Sequence, residues 1–263
     1  MTTVIMPMAG LGARFAVAGE GRPKPLIPVL GTPMFRLALA SIRRAMPDAQ
    51  AICIVLEAHC AAHRIDRKIA ASEPAVDVIS IPRLSGGALE TCLAAEPLTK
   101  NLDAPAIVLD CDLTFSAPAY LARMAAMGAT DDETQGWLLS FRGNETRYSF
   151  AELIPGTDIV KRTAEKQPIS DRALAGAYGF ASARLLFEAA REIVAGNRRT
   201  GGGEFYVSSA YNAMLRRGGT VRLADAESFW SMGTPAELAQ CLADPSFRAH
   251  VAFLQASVLG ASS

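Results

Sequence analysis

Residues Val4–Phe35 read VIMPMAGLGARFAVAGEGRPKPLIPVLGTPMF. A short apolar run, Val4–Met8, breaks at once into Gly10 and Gly12, and Arg14 and Lys24 bring two fixed positive charges into the following segment. Glycines let a backbone approach a ligand closely and turn its N–H groups toward phosphate oxygens. Arg14 offers a planar fork for a phosphate and Lys24 a point charge. Pro23 and Pro25 restrict the backbone on both sides of Lys24, so that its charge is presented rather than left mobile. Such a loop suits the triphosphate of a nucleotide, although an ordinary Gly-rich turn with a surface arginine explains the glycines alone equally well. A dinucleotide fingerprint is a weak match, because Phe15 replaces the third glycine and no acidic residue follows about twenty positions on. A Walker loop is absent.

Working outward, apolar runs of strand length recur at Val4–Met8, Ala51–Leu56, Val76–Ile81, Ala106–Leu109 and Trp137–Phe141. Stretches with helical spacing lie between them. Met34, Leu37, Leu39 and Ile42 predict a helix that starts after Pro33, with Thr32 as its N-cap. Alternation of this kind over the first 130 residues predicts a mainly parallel sheet covered on both faces, in a three-layer α/β/α arrangement of Rossmann type. From Gln135 to Phe180 strand-like runs follow one another directly, punctuated by Gly143-Asn144 and Pro155-Gly156, so a mixed or antiparallel region is expected there. Helical patterns resume at Ala183–Ala195, at Glu204–Arg217 and after Thr234-Pro235. One domain over 1–240 is expected, its halves meeting near residue 130, with a helical tail over 241–263.

The chain has 263 residues, half of them hydrophobic, with 26 Lys+Arg against 26 Asp+Glu. That length suits one large α/β domain. Zero net charge gives no field to recruit nucleic acid or an anionic membrane, so anion binding must come from local clusters. Five scattered cysteines without a CxxC pair suggest free thiols in a reducing compartment. No signal-peptide pattern and no apolar run of about 18 residues is read, so a cytoplasmic protein is expected.

The motif MAGLGARF…RPKPLIPVLGTPMF resembles the signature of the sugar-nucleotide pyrophosphorylases, the GxGxR…PKP nucleotidyltransferases, and most of all the small bacterial enzymes of surface-polysaccharide precursor synthesis. Four further segments follow in that family's order: LSGGALETCLAA, VLDCDLTF, TAEKQPISDRALAGAYGF and FWSMGTPAEL. The resemblance therefore spans about Val4 to Leu238, and implies a GT-A-like fold with a nucleotide half and an acceptor half.

It also implies roles. Arg14 and Lys24 would be catalytic, on the β- and γ-phosphates. Met8, Ala9, Gly10, Leu11, Gly12, Gly86, Gly87 and Asp110 would contact the nucleotide, and Asp112 would hold Mg2+. Glu165, Lys166, Gly176 and Tyr178 would bind the acceptor. The residues themselves also allow plainer readings: solvated loop acids at Asp110 and Asp112, a simple helix start after Gly87, an exposed ion pair at Glu165-Lys166, a core role for Tyr178. His59 and His63 sit four apart beside Cys60 but lack a third distant ligand, so a solvated helical turn is favoured over zinc. The basic, Gly-rich stretch around Arg198-Arg199 reads as a mobile surface loop or an acceptor-closing one.

Two departures from the family pattern stand out. Ser231 occupies the position of the aspartate that usually completes the magnesium site, and Ala13 replaces a common serine or threonine. The implied activity joins a nucleoside triphosphate to a phosphorylated small molecule, a sugar 1-phosphate by preference, with release of pyrophosphate; a homo-oligomer is compatible with it. Three alternatives stay open: cytidylyl transfer to a non-sugar phosphate, a non-catalytic nucleotide-binding regulator suggested by Ser231, and a glycosyltransferase using Asp110-x-Asp112, which Arg14 and Lys24 disfavour.

Overall fold

A computed structural model describes residues 1–127, 133–200 and 202–259. Its strands are β1 Thr3–Pro7, β2 Pro28–Val29, β3 Thr32–Pro33, β4 Gln50–Leu56, β5 Val76–Ile81, β6 Ala106–Leu109, β7 Leu113–Ser116, β8 Thr134–Arg142, β9 Ser149–Leu153, β10 Val160–Glu165, β11 Arg172–Phe180, β12 Thr220–Asp225 and β13 Ser228–Ser231. The helices are α1 Ala13–Val17, α2 Met34–Arg43, α3 Glu57–His63, α4 Ile65–Ser72, α5 Ala88–Cys92, α6 Pro118–Ala126, α7 Ala183–Ala195, α8 Ser208–Arg216, α9 Pro235–Ala243 and α10 Pro245–Leu254.

Among the described residues one nine-stranded sheet dominates, in the order β10-β9-β11-β6-β1-β4-β5, with β8 on β11 and β12 on β8. The N-terminal half is parallel, as β1 pairs with β4 and β6 and β4 with β5. β11 joins β6 antiparallel and so grafts the meander β8–β11 onto it. Strands apolar at consecutive positions must be covered on both faces. Val4 and Met6 accordingly enter one core with Phe35 and Leu39, while Ile5 enters the other with Ile52 and Phe187. A third cluster sets Phe247 and Val251 of α10 against Phe15 and Met34, so the C-terminal helices brace the loops that follow β1.

Three expectations are corrected. Thr32 is not the cap of α2: Pro33 flanks the helix, and the Thr32 hydroxyl accepts a bond from Gln255 Nε2 at 2.9 Å. The helix expected over Glu204–Arg217 starts only at Ser208, because the preceding backbone is taken up elsewhere: Phe205 N–H donates to Gly86 O at 2.8 Å and Phe205 O accepts from Leu89 N–H at 2.9 Å. The C-terminal stretch is divided at Asp244-Pro245, where the Asp244 carboxylate accepts from Ser246 N–H at 2.8 Å and caps α10. Residues 260–263 of the expected tail lie outside the described residues.

Among the described residues no helix is long and apolar enough to cross a membrane.

Candidate active site

Open α/β sheets bind ligands beyond the carboxyl ends of their strands, and here β1 and β6 deliver Gly10–Gly12 and Asp110–Asp112 to one cleft. The cleft has a larger chamber of about 730 Å³ and a smaller one of about 220 Å³. Asp110, Asp112, Tyr178 and Tyr206 belong to the walls of both.

The larger chamber brings together the predicted nucleotide residues. Met8, Ala9, Gly10, Leu11 and Gly12 form one side of it, Gly86 and Gly87 another, and Lys24 its floor with Asp110 and Asp112. Two of these glycines are required by geometry. At Gly12, φ is +63°, left-handed, and a Cβ would press 3.3 Å from the Lys24 Cβ. At Gly87, φ is +148° and a Cβ would lie 2.6 Å from the Phe205 backbone N and O. Phe205 thus pins the glycine loop, a role that helical spacing concealed. Arg199 also reaches this chamber, its guanidinium 4.2 Å from the centre of the Phe205 ring. The basic loop therefore reaches the chamber that holds Gly10–Gly12 and Gly86-Gly87, not the one that holds Glu165 and Gly176.

Lys24 Nζ donates to Asp112 Oδ2 at 2.7 Å, across 88 residues of sequence. Burial works against the Lys24 ammonium, but the charge and hydrogen bond of Asp112 outweigh it, and the lysine is held above its ordinary range. Asp110 also shifts upward, which for an acid favours the neutral form: burial first, then the neighbouring Asp112 charge, push its carboxyl up to about 7 against the pull of Lys24.

The smaller chamber takes Arg14, Glu165, Gly176 and Tyr178 from the predicted set, and Arg147, Tyr148, Ser231 and Glu237 besides. Arg14, implied to contact the polyphosphate, thus lines the smaller chamber and not the one that holds Lys24 and the glycines. Gly176 forms a bulge in β11 at φ +70° and its carbonyl accepts from Asp110 N–H at 2.9 Å, so it shapes the acid through backbone. Glu165 is buried and accepts from the Ser149 hydroxyl and from Ser208 Oγ at 3.2 Å. Burial raises its pKa, partly offset by those two hydroxyls. Lys166 lines neither chamber; it lies exposed at φ +56° and reaches them only through Tyr206, whose hydroxyl accepts from Nζ at 2.6 Å. The expected Glu165-Lys166 unit therefore divides, one member inward and one outward. Tyr178 is buried and packs in the core behind the sheet while it also lines both chambers.

Whether a divalent ion suits the cleft can be judged from the oxygens around Gly233. A Cβ there would lie 3.0 Å from Asp112 Oδ2, 3.3 Å from Glu237 Oε2 and 3.7 Å from Ser231 Oγ. The missing side chain leaves three hard oxygen donors facing one small space, the ligand type Mg2+ takes. Glu237 escaped the sequence reading because Thr234-x-x-Glu237 has the form of a helix capping box, and Thr234 Oγ1 does accept from Glu237 N–H at 3.2 Å. Arg147 and Tyr148 carried no sequence signal of their own. On α3, His59 and His63 lie with ring centres 6.2 Å apart, and no residue of that helix is buried. Among the described residues, no group of three or more His, Cys, Asp or Glu side chains is arranged to hold a metal.

The mainly parallel sheet, with a glycine-lined chamber and a smaller one that share two aspartates, has the fold of nucleotidyltransferases. Solved structures agree. A nucleoside-diphosphate-sugar pyrophosphorylase from Vibrio cholerae RC9 superposes with a TM-score of 0.74 at 24% identity, over 92% of this chain and 100% of that one. The inositol-1-phosphate CTP transferase from T. maritima gives 0.70 at 11% identity, over 97% and 96%. No protein-family model and no curated protein sequence matches the chain.

Proposed function

We propose that the protein transfers a nucleotidyl group from a nucleoside triphosphate to a phosphorylated small molecule, a sugar 1-phosphate, and releases pyrophosphate. The product would be a nucleotide-sugar, of the kind that feeds polysaccharide synthesis. The observation that carries this reading is the contact between Lys24 and Asp112, a cation and an acid held together at the wall that two chambers share. Residues 1–240 would act as one unit, with the triphosphate in the larger chamber and the acceptor in the smaller.

An acceptor phosphate oxygen attacks the α-phosphorus in line; that P–O bond forms as the bond to the β-phosphate bridge breaks, and the electron pair leaves on pyrophosphate. The attacking oxygen is already ionised near neutral pH and needs no general base. The chain's task is to position two anions and to neutralise charge as it moves to the leaving group. Lys24 would turn from Asp112 to the polyphosphate. Arg14, on the acceptor side, would hold the incoming phosphate against its repulsion from the triphosphate, and Lys166 would steady Tyr206 at the boundary between chambers. Bound on Asp112, Mg2+ would neutralise phosphate oxygen charge.

Pyrophosphate release, measured with the four common triphosphates against a panel of sugar and non-sugar phosphates and read by mass, tests the proposal. Release with a sugar 1-phosphate supports it. Release only with a phosphorylated polyol or amine would support the second reading, for which the inositol-1-phosphate CTP transferase is the structural precedent. Nucleotide binding without release in any combination would favour a regulatory protein.

A further inference from the structure

The geometry points to Glu237 as the carboxylate that replaces the aspartate missing at Ser231: with Asp112 it forms the divalent-cation site, and without an ion Lys24 pairs with Asp112 and Arg147 with Glu237. This rests on the proposed nucleotidyl transfer and assigns it a residue that the resemblance does not.

Glu237 lies in the first turn of a surface helix, yet its side chain is only 7% exposed. Its two oxygens face different surroundings. Oε1 accepts from the Tyr148 hydroxyl at 3.2 Å and lies 3.2 Å from Arg147 Nη1. Oε2 accepts no hydrogen bond among the described residues and points to the place where a Gly233 side chain would sit, which Asp112 Oδ2 also faces. Glu237 lines the smaller chamber, so Oε2 opens onto it and offers a hard oxygen of the kind a divalent cation takes. A helix cap does not explain it, because the cap uses the Glu237 backbone N–H and leaves the carboxylate free. Ser231, where the family pattern has the acid, presents its hydroxyl to the same space from β13. Met232 N–H donates to Asp112 O at 2.7 Å and ties the segment that follows β13, and leads into the helix of Glu237, to the Asp112 backbone. Arg147, about a third exposed and stacked 4.8 Å from the Tyr148 ring, can withdraw toward Glu145, which its guanidinium also meets at 2.9 Å.

The test is a titration with Mn2+ alone, with the EPR signal of the free aqua ion reporting unbound metal. Wild-type protein should show one site. Glu237→Gln should weaken it at least tenfold, and Ser231→Asp in the Glu237→Gln background should bring affinity back to within threefold of wild type. Arg147→Met should tighten binding at least threefold, a change that a purely structural Glu237 would not produce. Wild-type affinity in Glu237→Gln, loss without restoration by Ser231→Asp, or unchanged or weaker binding in Arg147→Met overturns the assignment. Should Glu237→Gln fail to fold, Arg147→Met decides alone. Asp112→Asn separates the two levels: binding lost there but kept in Glu237→Gln sinks only the role of Glu237, whereas wild-type protein without any Mn2+ site also sinks the metal assignment of the proposed reaction.

Discussion

Replacing Gly176 by alanine tests how the bulge in β11 holds Asp110 in the cleft. Gly176 has φ +70°, and an added Cβ would fall 2.5 Å from Leu113 Cδ2 and 2.7 Å from Asp110 Oδ2. Two costs are therefore superimposed. A left-handed backbone at a non-glycine residue costs roughly 1–2 kcal/mol, of which about 0.4–1 kcal/mol is offset because alanine narrows the unfolded ensemble. Crowding a packed site adds roughly 1–3 kcal/mol. Gly156 separates the two, since its φ is +77° but nothing lies within 4 Å of its Cβ position. Gly156→Ala should then cost about 0.5–1 kcal/mol and Gly176→Ala about 2–4 kcal/mol. For a chain of this size each kcal/mol moves the midpoint by roughly 2–4 °C, so calorimetry should show falls of about 1–4 °C and roughly 5–15 °C respectively. Nucleotidyl transfer should suffer in Gly176→Ala beyond its stability loss, because the clashing atoms include an Asp110 oxygen, and should be unchanged in Gly156→Ala. Equal midpoint shifts in the two variants would refute the steric account of Gly176.

Lys24→Met and Asp112→Asn should each lower turnover at least about a hundredfold, in line with the ~3–4 kcal/mol that one electrostatic contact supplies to a transition state; near-normal rates in either would remove the shared-wall mechanism. Gly87→Ala should raise the apparent nucleotide KM at least about tenfold while leaving the fold intact by circular dichroism, because its Cβ meets the Phe205 backbone at 2.6 Å and forces the loop to move; an unchanged KM would show that the loop does not touch the nucleotide. His250, whose Nε2 lies 2.9 Å from Thr114 Oγ1, is held by burial at about 4, below its ordinary 6.5. As pH falls the unfolded chain takes up that proton first, so the stability is present above about pH 6.5 and is lost between 6.5 and 4. Part of the ring is exposed, and screening reduces the loss to about 1–2 kcal/mol. His250→Gln should flatten the acid limb of a urea-denaturation series by that amount, and an unaltered slope would show that the ring titrates as freely in the fold as in the unfolded chain.

What could be read from the chain was whatever local chemistry decides. Consecutive apolar residues in Ala51–Leu56 and Ala106–Leu109 have only one way to be covered, and they became central strands. Gly12 and Gly87 announce positive-φ backbone that side chains disfavour, and two acids after an apolar run announce a strand's carboxyl end. What stayed hidden depends on partners distant in sequence. Glu204–Val207 has helical spacing, but the Phe205 N–H and carbonyl are claimed by Gly86 and Leu89, more than a hundred residues earlier. Arg14 reads as a phosphate ligand wherever it points, and only the path of α1 turns it to the smaller chamber. Glu237 is the sharpest case. Its sequence neighbours assign it to a helix start, and that assignment is true of its backbone, while Tyr148, Arg147 and the vacant side of Gly233 decide its carboxylate. A motif fixes the position where a family keeps an acid; the physical requirement is negative oxygen at a point in space, and a helix beginning four residues later can supply it. With Glu237 in the proposed role, Ser231 alone is no evidence for a silent enzyme.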